Sequence, residues 1–266
     1  MGDEPRPRQA PAPHQEPPDR EYIAGLEKGL AVLELFGHRC PQMTPMQAAK
    51  LTGLPRATAR RCLRTLEKLG YLTFDGKHYG LTSRVLRLGH AYFESTPLAK
   101  VVQPVLESLA QRTGESAALA ILDGADAVFL ARASLNTSFS GSIGVGVRAS
   151  AYNTATGRAL LAALDKAQVE QLMQNSPPRR LTPHSVVDPK ALLRAIAEAR
   201  RRGYAICDEE VQLGSRSIAV AIVDASGNAI AAMSLAVHAG RIGAEDMPAA
   251  LLPHLESARR MLASAL

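Results

Sequence analysis

The 266-residue sequence has no tryptophan, only 4% aromatic residues and three cysteines. Cys40, Cys62 and Cys207 are scattered and form no C-x-x-C pair, which argues against a disulfide framework and against a structural zinc site. We therefore expect a reducing, cytoplasmic compartment. The sequence contains no run of about 18 apolar residues, and its first 20 residues contain no apolar segment, so neither a membrane helix nor a secretory signal is predicted.

The motifs of common enzymes are also absent from the sequence. It has no G-x-S-x-G elbow, no HExxH and no P-loop, and the glycines from Gly141 to Gly146 have neither P-loop nor dinucleotide-binding spacing. Asp208 and Glu210 would share one side of a strand and could hold a divalent cation, but salt bridges are the preferred interpretation. Cys207 as a nucleophile would need a base that the sequence does not place beside it. We therefore predict no catalytic residue, no metal and no cofactor.

The net charge of +6 lies almost entirely in one part of the chain. Residues 21–90 carry eleven basic and five acidic side chains, whereas residues 91–266 carry seventeen and sixteen. This asymmetry indicates a polyanion-binding module joined to a nearly neutral one. Residues 1–20 hold six of the seventeen prolines and almost no apolar residue, which predicts a disordered tail.

Residues 21–82 show the pattern of a winged helix-turn-helix, with helices followed by a hairpin. Apolar residues recur at helical spacing from Tyr22 to Gly37, and Thr44 followed by Pro45 predicts the start of a second helix. A third helix is predicted over 56–69. The predicted hairpin consists of strands over 71–74 and 77–81, joined by the two-residue turn Asp75-Gly76.

A linker helix is predicted over residues 83–97, with a hinge at its end, and residues 98–266 have the pattern of an α+β domain. Helical spacing alternates there with short apolar runs, which indicates a mostly antiparallel sheet with helices gathered at the ends. The predicted helices cover 98–113, 154–164, 189–202 and 244–263, and the predicted strands cover 117–122, 128–133, 140–148, 204–211, 217–224 and 229–237.

The third predicted helix is the candidate DNA-binding element. An α-helix fits the major groove, and arginine can bind guanine or phosphate through two hydrogen bonds. Thr58 can hydrogen-bond a base or contact a thymine methyl group, and Lys77 lies at the predicted hairpin tip. A solvated basic face is the alternative, which the helix-turn-helix layout and the local charge disfavour. The candidate DNA-binding residues are Arg56, Thr58, Arg60, Arg61, Arg64 and Lys77.

Five segments of the sequence resemble the motifs of one known family and occur in the same order. They are YIAGLEKGLAVL at 22–33, GLPRATARRCLRTLEKLGYL at 53–72, YNTATGRALL at 152–161, GYAICDEE at 203–210 and SIAV at 217–220. Together they resemble the isocitrate lyase regulator (IclR) family of bacterial transcription factors. The resemblance covers nearly everything after residue 20, and it implies a winged helix-turn-helix, a linker helix and a GAF-like effector-binding domain.

Two further segments are ASAYNTATGR at 149–158 and SLAVHAGR at 234–241. They resemble the subgroup of this family that controls aromatic-acid catabolism through the β-ketoadipate pathway. The resemblance implies an effector such as protocatechuate, 4-hydroxybenzoate or β-ketoadipate, and often activation rather than repression.

The resemblance also implies a carboxylate-binding pocket in the second domain. Cys207 stands where relatives that bind short oxo-acids have an acidic residue, and Ala236 replaces a hydroxyl, so we expect a less polar pocket that suits an aromatic acid. Helix capping by the threonines and ordinary strand positions for the serines are the alternatives. Arg148 and Arg158 could pair with a carboxylate, but surface positions are the preferred interpretation, and His238 is expected to be structural or interfacial. The effector-binding residues that the resemblance implies are Thr154, Ala155, Thr156, Cys207, Ser217 and Ser234.

We therefore predict a cytoplasmic, DNA-binding transcriptional regulator that acts as a homodimer or tetramer and does not bind a membrane. Its expected partners are a double-stranded DNA operator and a small carboxylate effector, either an aromatic acid or a β-ketoadipate-pathway intermediate. Two alternatives stay open at this point. The second domain could be an enzyme that converts a small carboxylic acid, or it could serve oligomerisation alone.

Overall fold

A computed structural model describes most of the chain. The described residues are 21–37, 40–135, 144–224 and 226–263. The disordered tail predicted over 1–20 lies outside these ranges, as do residues 140–143 of the strand predicted over 140–148. Among the described residues, no helix is both long enough and apolar enough to cross a bilayer.

The chain divides into two units, Met1–Tyr92 and Phe93–Leu266. The described part of the first unit is a winged helix-turn-helix, as predicted. Its elements are α1 (Ala24–Leu33), β1 (Gln42–Met43), α2 (Pro45–Thr52), α3 (Arg56–Lys68), β2 (Leu72–Phe74) and β3 (Tyr79–Leu81). Strand β3 lies between β1, which the sequence pattern does not predict, and β2, and it pairs antiparallel with both. The core residues of this unit are Val32, Met43, Ala48, Ala59, Leu63, Leu66, Leu72 and Tyr79.

Local sequence signals determine where α2 and α3 begin and end. The Thr44 hydroxyl accepts a hydrogen bond from the Gln47 N–H at 3.3 Å, and the Gln47 side chain accepts one from the Thr44 N–H at 2.8 Å. This capping box satisfies two N–H groups at the start of α2. Gly53 and Gly70 adopt φ values of 71° and 78°, the left-handed conformation in which helices commonly end.

The turn between β2 and β3 differs from the prediction. The last strand pair is Phe74 with Tyr79, so four residues rather than two connect the strands, and Lys77 lies in the turn instead of in a strand. The Asp75 carboxylate accepts hydrogen bonds from the N–H groups of Lys77 at 2.8 Å and His78 at 2.7 Å. These bonds stabilise a wider loop than the Asp-Gly dipeptide alone predicts.

The second unit follows a helical linker. A single 3₁₀ turn at Ser83–Val85 leads into α4 (Leu86–Ser95), and Thr96, with extended backbone, separates α4 from α5 (Pro97–Thr113). This break in the helix lies within the predicted hinge.

A six-stranded antiparallel sheet forms the centre of the second unit, and the predicted α+β class is confirmed. Its strands are β4 (Ser116–Asp123), β5 (Asp126–Ala133), β6 (Arg148–Ser150), β7 (Ala205–Asp208), β8 (Ser215–Val223) and β9 (Ala229–His238). Their order across the sheet is β6–β5–β4–β9–β8–β7.

Helices cover both faces of this sheet. Helices α5 and α9 (Met247–Ala263) pack on one face, while α6 (Ala155–Leu161) packs on the other and is followed outward by α8 (Pro189–Arg202). Because side chains alternate along a strand, Met233 and Leu235 of β9 join the core with α5 and α9, whereas Ala232 joins the core with α6.

Two strands and one helix show the main differences from the predictions. Strand β6 begins only at Arg148, and β7 ends at Asp208 because Glu209 adopts φ 55° and its N–H bonds back to the Ser215 carbonyl at 2.8 Å. Helix α7 (Lys166–Asn175) was not predicted, although Asp165 caps it with a hydrogen bond from the Gln168 N–H at 2.8 Å.

Candidate functional site

The exposed face of α3 is basic. With about 100° of rotation per residue, the buried stripe of α3 lies on the side opposite Arg61, Arg64 and Lys68. Lys68 shares this face with the predicted arginines, and helical periodicity alone could have identified it. The exposed basic residues of α3 are Arg56, Arg60, Arg61, Arg64 and Lys68, while Thr58 is half-buried.

The arginines of α3 differ from those of α8 in their partners. On α8, Arg201 and Arg202 both form ion pairs with Glu198, and the Arg200 guanidinium donates to the Ala162 carbonyl at 2.7 Å. Within the ranges that the structure describes, no carboxylate oxygen lies within 4.0 Å of an α3 arginine. The positive charge on α3 is therefore available to an external anion.

The hairpin lies beside α3. Tyr79 stacks on Phe74 with 4.5 Å between the ring centroids. Burial and the nearby Glu67 carboxylate raise the pKa of the Tyr79 hydroxyl, while the charges of Arg64 and Arg60 act to lower it. Lys77 is exposed at the tip of the same hairpin. The predicted basic residues of α3 and Lys77 of the hairpin tip are thus all exposed in the same unit.

The second unit contains a cavity of about 90 Å³ between its sheet and the segment that leads into α6. All six effector-binding residues implied by the resemblance line it. Small side chains form its sheet side, and strand pairing places Ala118 opposite Ser234 and Ala236 opposite Ser217. The cavity between the sheet and α6 stays open because the alanine and serine side chains of the sheet are small. The described lining residues are Ser116, Ala118, Phe129, Arg132, Asn153, Thr154, Ala155, Thr156, Cys207, Glu210, Val211, Gln212, Ser215, Ser217, Ser234 and Ala236.

The two candidate threonines differ in their hydrogen bonds. The Thr154 hydroxyl donates to the Ser150 carbonyl at 3.1 Å and accepts from the Gly157 N–H at 3.1 Å, so this residue caps α6. The Thr156 side chain is 2% exposed, and its hydroxyl has no hydrogen-bond partner among the described groups. Of these two threonines, therefore, only Thr156 keeps its hydroxyl for a bound molecule.

Asn153 is a cavity residue that the sequence did not reveal. It is fully buried, and neither Oδ1 nor Nδ2 has a hydrogen-bond partner among the described groups. Buried polar atoms are nearly always paired, because an unpaired one costs about 1–3 kcal/mol. An asparagine beside a helix cap usually indicates capping, so no signal in the sequence shows that this amide faces a cavity.

Arg158 is buried rather than on the surface, and the expectation for it was wrong. Its guanidinium bonds to the Glu210 carboxylate at 2.6 Å and to the Tyr152 carbonyl at 2.8 Å. Helix α6 is pressed so closely against the preceding loop that a Cβ on Gly157 would lie 2.2 Å from the Ala151 Cα. The Arg158 side chain is accordingly almost completely buried, with 4% of its surface exposed.

Asp208, the last residue of β7, and Glu210 form salt bridges, which was the interpretation preferred over a cation site. Glu210 pairs with Arg158 and also accepts from the Val186 N–H at 3.1 Å, and Asp208 pairs with Arg216 at 2.5 Å. In the part of the chain that the structure describes, no cluster of three histidine, cysteine or acidic side chains could hold a metal.

The remaining candidates have different environments. Burial raises the pKa of Cys207 to about 12, so its thiol is protonated at neutral pH. Arg148 pairs with Asp123 and Asp126 at the edge of the sheet and does not line the cavity. His238 does not line it either, and its Nδ1 accepts from the Gly240 N–H.

Arg132 on β5 lines the cavity, although the sequence analysis did not select it. Strand pairing places it directly opposite Ala118 of β4, so its side chain shares the cavity face of the sheet. The half-buried position lowers the pKa of its guanidinium through desolvation. It is the only basic side chain among the described lining residues.

Two family models match the chain. The model of the IclR helix-turn-helix domain matches residues 25–76, and the model of the C-terminal region of the bacterial transcriptional regulator IclR matches residues 90–263.

Individual proteins match over most of their length. The chain is 40% identical over 245 residues to the Pca regulon regulatory protein of Pseudomonas putida, covering 92% of this chain and 84% of that protein. It is 35% identical over 243 residues to the p-hydroxybenzoate hydroxylase transcriptional activator of Acinetobacter baylyi, covering 89% of each. Among solved structures, an IclR homologue from Microbacterium hydrocarbonoxydans complexed with 4-hydroxybenzoate has a TM-score of 0.76 and 27% identity, covering 91% of this chain and 99% of that one.

Proposed function

The chain belongs to the IclR family of bacterial transcriptional regulators, and we propose that its cavity binds an aromatic carboxylic acid that controls operator binding. It is a DNA-binding transcriptional regulator and not an enzyme, in line with both family models and the named relatives. The residues that bind the effector and the operator are the subject of the proposal.

The observation that carries the effector proposal is the chemistry of the cavity lining. Phe129, Ala118 and Ala236 offer apolar surface to a ring, and Arg132 offers a positive charge to a carboxylate. An apolar cavity with few polar groups is typical of a small-molecule site. A flat aromatic acid matches this combination better than a short oxo-acid, which has little apolar surface to bury.

The relatives support the same ligand class. One of them is named as the activator of p-hydroxybenzoate hydroxylase, and one solved homologue holds 4-hydroxybenzoate. Thr156, Cys207, Ser217 and Ser234 complete the proposed effector site, together with the backbone at Ala155. Thr154 contributes by capping α6 rather than through a free hydroxyl.

The proposed operator site is the basic surface of α3 and the hairpin. Its charge is not neutralised by described carboxylates, and an α-helix of this kind fits the major groove. Two such helices in a homodimer, or four in a tetramer, would contact repeated half-sites of a chromosomal operator in the cytoplasm. The proposed DNA-binding residues are Arg56, Thr58, Arg60, Arg61, Arg64 and Lys77.

Thermal unfolding of the full-length protein with added acids tests the effector proposal. A ligand at about 100 times its Kd stabilises the folded state by about 2.7 kcal/mol. We expect this stabilisation with 4-hydroxybenzoate but not with pyruvate, and we expect Arg132→Leu to abolish it. Arg148→Leu is the matched control, because Arg148 does not line the cavity.

Three outcomes would contradict the proposal. Absence of stabilisation by any aromatic acid would favour a second unit that serves oligomerisation alone. Equal stabilisation of the wild type and of Arg132→Leu would remove Arg132 from the site. Chemical conversion of the acid during incubation, detected by chromatography, would favour an enzyme.

A further inference from the structure

The unpaired polar atoms of the cavity are concentrated at one place. Asn153 Oδ1, Asn153 Nδ2 and Thr156 Oγ1 are all buried and without described partners, and both residues line the cavity. Other unpaired buried atoms, such as those of Tyr152 and His254, belong to residues that do not line it. The cavity therefore has an uncharged polar region in addition to the positively charged Arg132 guanidinium.

We propose that Asn153 and Thr156 bind a hydroxyl group of the effector, so that the regulator selects hydroxy-substituted aromatic acids over unsubstituted ones. This inference rests on the proposed function, because it assigns the part of the aromatic acid that does not meet Arg132. It also assigns a specificity role to Asn153.

The hydrogen-bonding capacity of these atoms favours a hydroxyl over a carboxylate. The Asn153 amide has two N–H donors and one carbonyl acceptor, and the Thr156 hydroxyl can donate or accept. A carboxylate only accepts, so it would leave Asn153 Oδ1 unpaired. A phenolic hydroxyl both donates and accepts, so it can donate to Asn153 Oδ1 and accept from the Thr156 hydroxyl.

Three of the other polar groups that line the cavity are already engaged and do not compete for this role. The Thr154 hydroxyl caps α6, the Glu210 carboxylate is held by Arg158 and by the Val186 N–H, and the Ser116 hydroxyl pairs with Ser134 at 2.8 Å. The hydroxyl of a ligand would therefore meet its unsatisfied partners at Asn153 and Thr156.

The backbone on both sides of Asn153 is fixed. The Arg158 guanidinium holds the Tyr152 carbonyl at 2.8 Å, the Asn153 N–H donates to the Ser150 carbonyl at 3.2 Å, and Thr154 is bound into the cap. An amide presented from such a fixed segment loses little freedom on binding, which favours selectivity.

Calorimetric titration of the full-length protein with a matched ligand series tests this inference. The series is 4-hydroxybenzoate, 3-hydroxybenzoate, benzoate, which lacks the hydroxyl, and 4-methoxybenzoate, which has an acceptor but no donor. Because benzoate would leave the buried amide unpaired, we expect it to bind the wild type about 10- to 100-fold more weakly than the preferred hydroxybenzoate. The methoxy compound should bind no better than benzoate.

The variant Asn153→Leu should remove the preference and not the binding. The ratio of the Kd for benzoate to the Kd for the preferred hydroxybenzoate should fall towards one. Benzoate should bind this variant at least as well as it binds the wild type. Asn175→Leu is the matched control, because Asn175 is exposed at the end of α7 and should leave the ratio unchanged. Thr156→Val is a second variant and should lower the ratio in the same direction.

The possible failures are distinguishable. If benzoate and both hydroxybenzoates bind the wild type equally, the hydroxyl-binding inference is overturned while the aromatic-acid proposal stands. A ratio that Asn153→Leu leaves unchanged also overturns it. If no aromatic acid binds the wild type, the proposed function fails, and the inference fails with it. If Asn153→Leu does not fold, the wild-type ligand series and the Thr156→Val variant still test the hydroxyl-binding inference.

Discussion

Replacing Arg158 with methionine removes the cation that is buried behind the cavity. Arg158 is 4% exposed, and its loss leaves the Glu210 carboxylate, whose side chain is 6% exposed, without its charge partner. The Tyr152 carbonyl loses a 2.8 Å hydrogen bond at the same time. Breaking one side of a buried ion pair costs about 3–5 kcal/mol, because an uncompensated charge stays buried.

Differential scanning calorimetry of the full-length protein measures this loss. For a unit of this size, each kcal/mol corresponds to about 2–4 °C, so the transition of the second unit should fall by about 6–20 °C. The double variant Arg158→Met with Glu210→Leu should be less destabilised than the sum of the two single variants, because it leaves no unpaired charge.

The exposed pair of Arg201 and Glu198 provides the control. The Arg201 side chain is 74% exposed, and Arg201→Met should cost no more than about 1 kcal/mol. If Arg158→Met destabilises the protein as little as this control, the argument that the pair stabilises the cavity wall is refuted. Strict additivity of the two single variants would refute the coupling between Arg158 and Glu210.

Two further predictions concern α3 and α6. Arg60→Ala should weaken operator binding and, if Arg60 meets a phosphate, lower the slope of log affinity against log salt concentration by about one. The control Arg201→Ala in α8 should leave operator binding unchanged. Unchanged binding in a folded Arg60→Ala variant would remove Arg60 from the interface. Gly157→Ala should destabilise the second unit by about 3 kcal/mol or more, because the new Cβ would overlap Ala151. Gly29→Ala in α1, where no atom lies within 4 Å of the new Cβ, should instead stabilise the protein by about 0.5–1 kcal/mol. Chemical denaturation measures both variants, and equal changes in their free energies of unfolding would contradict the packing argument.

Features that depend on residues close in sequence could be predicted. The cap at Thr44, the glycine ends of the helices and the buried stripe of α3 each follow from a few neighbouring residues. The hairpin turn was predicted too short because the Asp75 side chain, and not only its backbone preference, organises the loop.

The composition of the cavity depended on contacts between distant parts of the chain. Arg132 faces the cavity because of its register with Ala118, and Arg158 is buried because Glu210, 52 residues later, lies beside it. Nothing within a short window of sequence specifies either relation. The family resemblance supplied the six positions aligned with relatives, but it could not supply Asn153 or Arg132, which no aligned position suggested.

The ion pair between Arg158 and Glu210 has a consequence for engineering sensors from this protein. Glu210 lines the cavity, yet its carboxylate also ties α6 to the segment at Val186, so exchanging it to alter ligand preference would cost stability. Asn153, Ala118 and Ala236 line the same cavity, and none of these three side chains has a described hydrogen bond that holds the fold together. Libraries for new effector preferences should therefore vary these three positions and keep Glu210 and Arg158 constant.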